Sequence, residues 1–112
     1  MALYETVFIA RQDLSPSQND ELAKQMTTIV QDNGGAVVNT EFWGLRQLAY
    51  RVSKNRKGHY VLFHIDGPPI AKNELERNLR LNEDILRFMT VSIEKLPEGP
   101  SALLRKDRDG EV

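Results

Sequence analysis

The chain contains no cysteine. That excludes a disulfide framework, a thiolate nucleophile, an iron–sulfur cluster and every cysteine-based zinc site. It has only two histidines, His59 and His64. Five apart in strand-like sequence, they point to opposite faces and cannot share one metal ion. No run approaches the about 18 apolar residues of a membrane span, and no apolar stretch opens the chain, so neither a membrane nor a secretory leader is expected. Phosphate-cradling glycine motifs are absent. Gly34-Gly35 follows a helix instead of opening one, and reads as a cap. The serines have no recognisable base beside them, and Asn82-Glu83-Asp84 reads as a solvated turn. An enzyme is therefore not expected, nor a cofactor, a metal or a small-molecule substrate.

What remains is a chain of 112 residues, 40% hydrophobic and 28% charged. That is enough for one core without a staple. Its net charge of −1 hides an asymmetry. From Trp43 to Ile65 there is no acid, while Arg46, Arg51, Lys54, Arg56 and Lys57 all fall there. Nucleic-acid binding answers to the local field and not to the total, so an RNA partner is open.

Periodicity gives the elements. Leu3 to Ala10 reads as a strand, apolar on both faces: Leu3, Val7 and Ile9 on one, Tyr4, Phe8 and Ala10 on the other. Ser15-Pro16-Ser17-Gln18 is a helix start with a capping box, followed by a stripe of Leu22, Met26, Ile29 and Val30. Gly34-Gly35 stops that helix. A second strand runs from Ala36 to Val52, bulged near Gly44. Ser53 to Gly58 reads as a charged turn and His59 to Ile65 as a third strand. A second helix carries Ala71, Leu75 and Leu79 on one stripe, with Glu76 spaced to pair with Arg80. Ile85 to Glu94 is a fourth strand. Residues 97–112 have no period and are expected as a flexible tail after a domain of residues 1–96.

Strand, helix, strand, strand, helix, strand implies a ferredoxin-like α+β fold, β-α-β-β-α-β. Its four-stranded antiparallel sheet carries two helices on one face. The other face, bare and partly apolar, suits a partner; scattered surface apolars are the plainer alternative. The cations around the hairpin, interleaved with Trp43, Tyr50 and Tyr60, suit phosphates and stacked bases. A charged turn that protects an edge strand is the competing reading. Lys57-Gly58-His59-Tyr60-Val61-Leu62-Phe63 also approximates an RNA-recognition-motif signature with one residue deleted. That alternative needs a stacking aromatic on the first strand, Tyr4 or Phe8. A ferredoxin-like regulatory or metabolite-binding domain is the third class.

Several segments together resemble the bacterial small-subunit ribosomal protein six family. They are Tyr4-Glu5, Trp43-Gly44-Leu45-Arg46-Gln47-Leu48-Ala49-Tyr50, the basic turn with His59-Tyr60, and Leu81-Asn82-Glu83-Asp84-Ile85-Leu86-Arg87. The likeness spans residues 3 to about 96. Many members have proline after that tyrosine; here Arg51 adds a cation. The resemblance implies a non-enzymatic ribosomal protein that binds the central domain of small-subunit ribosomal RNA together with small-subunit ribosomal protein eighteen. It makes Arg46 and Arg87 the first candidates for RNA or interface contact. Arg51, Lys54, Arg56 and Lys57 join the RNA set on local charge. Trp43, Leu48 and Tyr50 are expected at the protein interface. A bacterial cytoplasmic ribosome is the expected location, an organellar one the alternative.

Overall fold

The computed structural model describes residues 2–52 and 55–96; for 49–52 only the backbone is described. Lys54 and the tail expected at 97–112 lie outside the described residues, as do the side chains of Tyr50 and Arg51. The elements run β1 (Ala2–Arg11), α1 (Pro16–Asp32), β2 (Ala36–Val52), β3 (Asn55–Gly67), α2 (Pro69–Leu81) and β4 (Ile85–Ile93). The sheet order is β2-β3-β1-β4, and every pairing is antiparallel. This is the ferredoxin-like arrangement expected from the element order.

Local chemistry explains the helix boundaries. The Ser15 hydroxyl accepts the Gln18 amide N–H at 3.2 Å, and the Gln18 side chain accepts the Ser15 amide at 2.8 Å. Two otherwise orphaned donors are thereby satisfied. Gly34, at φ +85°, supplies the left-handed turn after α1. α2 has Pro68 as its N-cap and so no side-chain cap. The expected Glu76–Arg80 pair does not form. Glu76 pairs with Lys72 at 3.2 Å, while the Arg80 guanidinium lies over the Phe88 ring at 5.7 Å. A basic group in the last helical turn, set against the sheet, gains ring contact that an exposed ion pair does not match.

Both helices pack on one face of the sheet. Leu22, Met26 and Val30 of α1 and Ala71, Leu75 and Leu79 of α2 meet Tyr4, Phe8, Ala10, Val61, Phe63 and Ile65. Phe8 and Phe63 meet edge-on, 5.2 Å between centroids. The Thr6 and Thr90 hydroxyls, on the same side, bond each other at 2.9 Å.

Among the described residues, no helix covers the opposite face. Register places Leu3, Glu5, Val7 and Ile9 of β1 there, facing Asp66, His64, Leu62 and Tyr60 of β3. On the other flank they face Ile93, Val91, Met89 and Arg87 of β4. Leu62 is fully buried even so, and Val7 nearly so. The rim stays open, with Met89 and Val91 about half exposed.

The β2–β3 hairpin overhangs its neighbours. β1 ends at Arg11 opposite Gly58, so Asn55, Arg56 and Lys57 extend past it, paired only with β2. The charged segment expected as a turn through Gly58 is therefore strand from Asn55 onward.

Candidate nucleic-acid and protein interface

A bulge in β2 assembles the site. Strand residues alternate faces, so Glu41 and Trp43 share one side and Arg46 would lie on the other. Phe42 pairs with Val61 and Gly44 with Tyr60, so one extra residue is inserted between them. Gly44 absorbs the kink at φ +82°. Glycine adopts that conformation without the Cβ clash other residues suffer. Beyond the bulge the parity is reversed, and Arg46, opposite Gly58, joins Trp43 on the bare face.

The resulting cluster is tight. The Trp43 indole stacks on the Tyr60 ring, 6.0 Å between centroids and 13° from parallel. The Arg46 guanidinium sits 5.6 Å from the Trp43 ring centroid, and its Nε–H donates to the Trp43 carbonyl at 3.3 Å. The indole Nε1–H donates to Glu41 Oε1 at 3.0 Å. Tyr60, Ile9 and Arg87 lie side by side across β3, β1 and β4. A groove of about 390 Å³ runs between Trp43, Tyr60, Val7, Ile9, Arg87 and Met89. Two cations flanking an aromatic platform over an apolar floor can receive a protein segment or a base while holding phosphates at the rim.

Polar contacts pin the root of the overhanging hairpin. The Gln12 side-chain oxygen accepts the amide N–H groups of Arg56 and Lys57 at 3.3 and 3.1 Å. The Gln12 amide donates to Asn55 Oδ1 at 3.3 Å. Arg56 and Lys57, both exposed, thus project from a fixed backbone. The flank behind them is mixed in sign. Arg11 pairs with Asp84 at 2.8 Å and Asp13 at 3.7 Å, and Glu83 shares that groove.

The sequence-based site residues fall in three places. Arg46, Arg87 and Trp43 come together on the bare face. Arg56 and Lys57 stand at the hairpin end. Leu48, 9% exposed, folds down over Gly58; a Cβ on that glycine would meet Leu48 Cδ2 at 3.6 Å and Ile9 Cγ2 at 2.3 Å. Sequence reasoning left Tyr60 out of the site residues, although its alternation with Leu62 and His64 was a usable signal. It also missed the polar group beside Trp43 on the same face: Glu41, Asn39, His64 and Glu5. His59 and His64 do face opposite sides. His59 bonds the Leu14 carbonyl at 2.9 Å on the helix side, and His64 meets Glu5 Oε1 at 3.0 Å on the bare side. The RNA-recognition-motif alternative loses its required aromatic, because Tyr4 and Phe8 are buried beneath the helices.

Fold and site define a ferredoxin-like protein with a cationic, aromatic sheet face that no helix covers among the described residues. Residues 3–92 match the family model described as Ribosomal protein S6, and the chain belongs to that family. It is 56% identical over 97% of its length to small ribosomal subunit protein bS6 of Sinorhizobium fredii, covering 74% of that protein. To the bS6 protein of Bradyrhizobium diazoefficiens it is 57% identical over 99% of its length, covering 68%. A crystal structure of 30S ribosomal protein S6 from Thermotoga maritima shares the fold. Its TM-score is 0.78 at 22% identity, with 99% of this chain and 98% of that one covered. The protein is accordingly a structural, non-enzymatic component of the small ribosomal subunit.

Proposed function

We propose that this protein binds the central domain of small-subunit ribosomal RNA jointly with small-subunit ribosomal protein eighteen, on a bacterial cytoplasmic ribosome. Residues 1–96 form the binding domain and 97–112 a tail. The observation that carries this reading is the convergence of Arg46, Trp43, Tyr60 and Arg87 on the sheet face opposite the two described helices. In this reading the protein partner seats on the Trp43–Tyr60 platform and along the edge of β2, where Tyr50 belongs to the same contact. Leu48 supports that surface from below. Arg56, Lys57, Arg51 and Lys54 meet phosphates from the projecting hairpin, and Arg46 and Arg87 meet them from the rim. Backbone contacts fix the register, and RNA shape supplies selectivity.

The test is RNA affinity measured across salt, with and without the partner. The isolated chain binds weakly, and the pair binds tightly with a steep salt dependence. Arg56→Ala with Lys57→Ala flattens the slope of log affinity against log salt by about 0.7–0.9 for each phosphate that is no longer neutralised. Tight, salt-insensitive binding by the isolated chain would overturn the reading. An unchanged slope removes the hairpin from the RNA contact.

A further inference from the structure

Further along the same sheet face, beside the platform, lies a chain of polar side chains that crosses three strands. Glu5, whose side chain is 11% exposed, meets His64 Nε2 at 3.0 Å; the His64 side chain is 2% exposed. On its other side the His64 ring meets the Asn39 amide nitrogen, 3.1 Å from Nδ1. The same Asn39 nitrogen lies 3.3 Å from Glu41 Oε2, and Glu41 Oε1 takes the Trp43 indole proton at 3.0 Å. The roles are mutually determined. A carboxylate only accepts, so the Asn39 atom facing Glu41 must be its NH₂. That NH₂ also faces Nδ1, which makes Nδ1 the acceptor and places the imidazole proton on Nε2, aimed at Glu5. Each hydrogen bond thus fixes the orientation of the next, from a buried carboxylate out to the indole.

From this we infer that Glu41, Asn39 and His64 are positioning residues for the docking face. They hold the Trp43 ring flat against Tyr60, so that a partner meets an already ordered surface. The inference rests on the docking role proposed for Trp43, but its physical core is a property of the free protein. Burying the Glu5 and His64 side chains costs stability unless every group is satisfied. In return the network orders the ring before binding, and that ordering is otherwise subtracted from affinity. Stacking alone leaves the indole free to slide over Tyr60. The bond to Glu41 removes that freedom, and Asn39 in turn fixes Glu41.

Trp43 is the only tryptophan in the chain, so its fluorescence reports the ring without interference. The experiment is time-resolved anisotropy and acrylamide quenching of the full chain. It compares wild type with Asn39→Ala, Glu41→Leu and Thr6→Val. Asn39 is exposed and reaches the indole only through Glu41, so Asn39→Ala keeps the fold while breaking the chain at its middle. Thr6→Val removes a hydrogen bond on the helix side, and serves as a control for general destabilisation. The expected result is a fast depolarising component and stronger quenching in Asn39→Ala and Glu41→Leu, with Thr6→Val like wild type. Affinity for the protein partner then weakens about two- to tenfold in Asn39→Ala, the cost of re-ordering one side chain. Wild-type anisotropy in both Asn39→Ala and Glu41→Leu overturns the inference. Loss of ring order in Thr6→Val as well overturns it too, since general loosening then accounts for the effect. Trp43→Ala separates the two proposals. If partner affinity survives that change, the docking role fails while the anisotropy result still decides the positioning role.

Discussion

Replacing Gly44 with alanine tests the hinge on which the site turns. Gly44 sits at φ +82°, and a Cβ built there meets nothing within 4 Å. The substitution therefore creates no packing clash, and its cost is the backbone conformation alone. Forcing an L-residue into the left-handed region costs about 1–2 kcal/mol. Alanine also narrows the unfolded ensemble, which returns a fraction of that. For a domain of this size the gross cost lowers the midpoint of thermal unfolding by roughly 4–16 °C, with the offset pulling toward the lower end. Asparagine tolerates the same region far better, so Gly44→Asn should lose less than Gly44→Ala. Leucine should lose about as much as alanine, because the surrounding space is open. The functional readout is Trp43 fluorescence. If the bulge relaxes, strand parity beyond it reverts and Arg46 leaves the indole, which changes both emission and quenching. The measurements are thermal unfolding and Trp43 emission for the three variants. Equal stability of the glycine, alanine and asparagine forms would refute the reasoning. So would a large gap between alanine and leucine, which would show that the site is packed and not open.

Two further outcomes follow from packing elsewhere in the sheet. Gly58→Ala places a Cβ 2.3 Å from Ile9 Cγ2 and 3.1 Å from the Ala10 carbonyl. Ile9 is β-branched and has few rotamers to retreat into. The change should cost about 1–3 kcal/mol in urea unfolding, with an unaltered denaturant slope; a cost near zero would mean that the hairpin root yields easily. Thr6→Val strands the Thr90 hydroxyl and should cost about 1–3 kcal/mol, whereas Thr6→Val with Thr90→Val should be close to neutral. A double variant as unstable as the sum of the singles would show that the two hydroxyls are not coupled.

The order of elements was legible because its signals are local. The capping box at Ser15 and Gln18, the Leu22–Met26–Val30 stripe and the Ala71–Leu75–Leu79 stripe each lie within one element, and all formed. Which strand residues share a face was harder to read. β2 shifts register between Val37 and Asn39, between Phe42 and Gly44, and between Gln47 and Val52. Each shift upsets counting by alternation, so the meeting of Arg46 with Trp43 is not visible from their spacing. Glu5 was opaque for another reason. A carboxylate in an apolar strand reads as surface, and its partner His64 is 59 positions away. Arg80 misled because spacing offered Glu76 while the fold offered the Phe88 ring. Composition had already located the cationic segment; only the sheet could say that part of it lies under the same face as Arg87.

A net charge of −1 is no obstacle to phosphate binding, because distance separates the opposing charges. On the bare face Glu41 pairs with Leu62, Glu5 with His64 and Leu3 with Asp66, all on the far side of Tyr60 from Gly58. At about 3.3 Å per residue, Glu5 lies roughly 20 Å and Asp66 roughly 26 Å from the level of Gly58, beyond which the hairpin projects. The screening length at physiological salt is about 8 Å, so a phosphate at the hairpin end senses almost nothing of those two acids. Glu41, level with Leu62, is nearer, but at roughly 13 Å from the level of Gly58 it too lies beyond that screening length. Among the acids that do lie close, Asp13 and Glu83 line the groove behind the hairpin, and Asp13 and Asp84 are paired with Arg11. Under the proposed function, a polyanion is therefore drawn to the side of Arg46 and Arg87, the side on which the aromatic platform also lies, and would arrive beside a protein seated on Trp43.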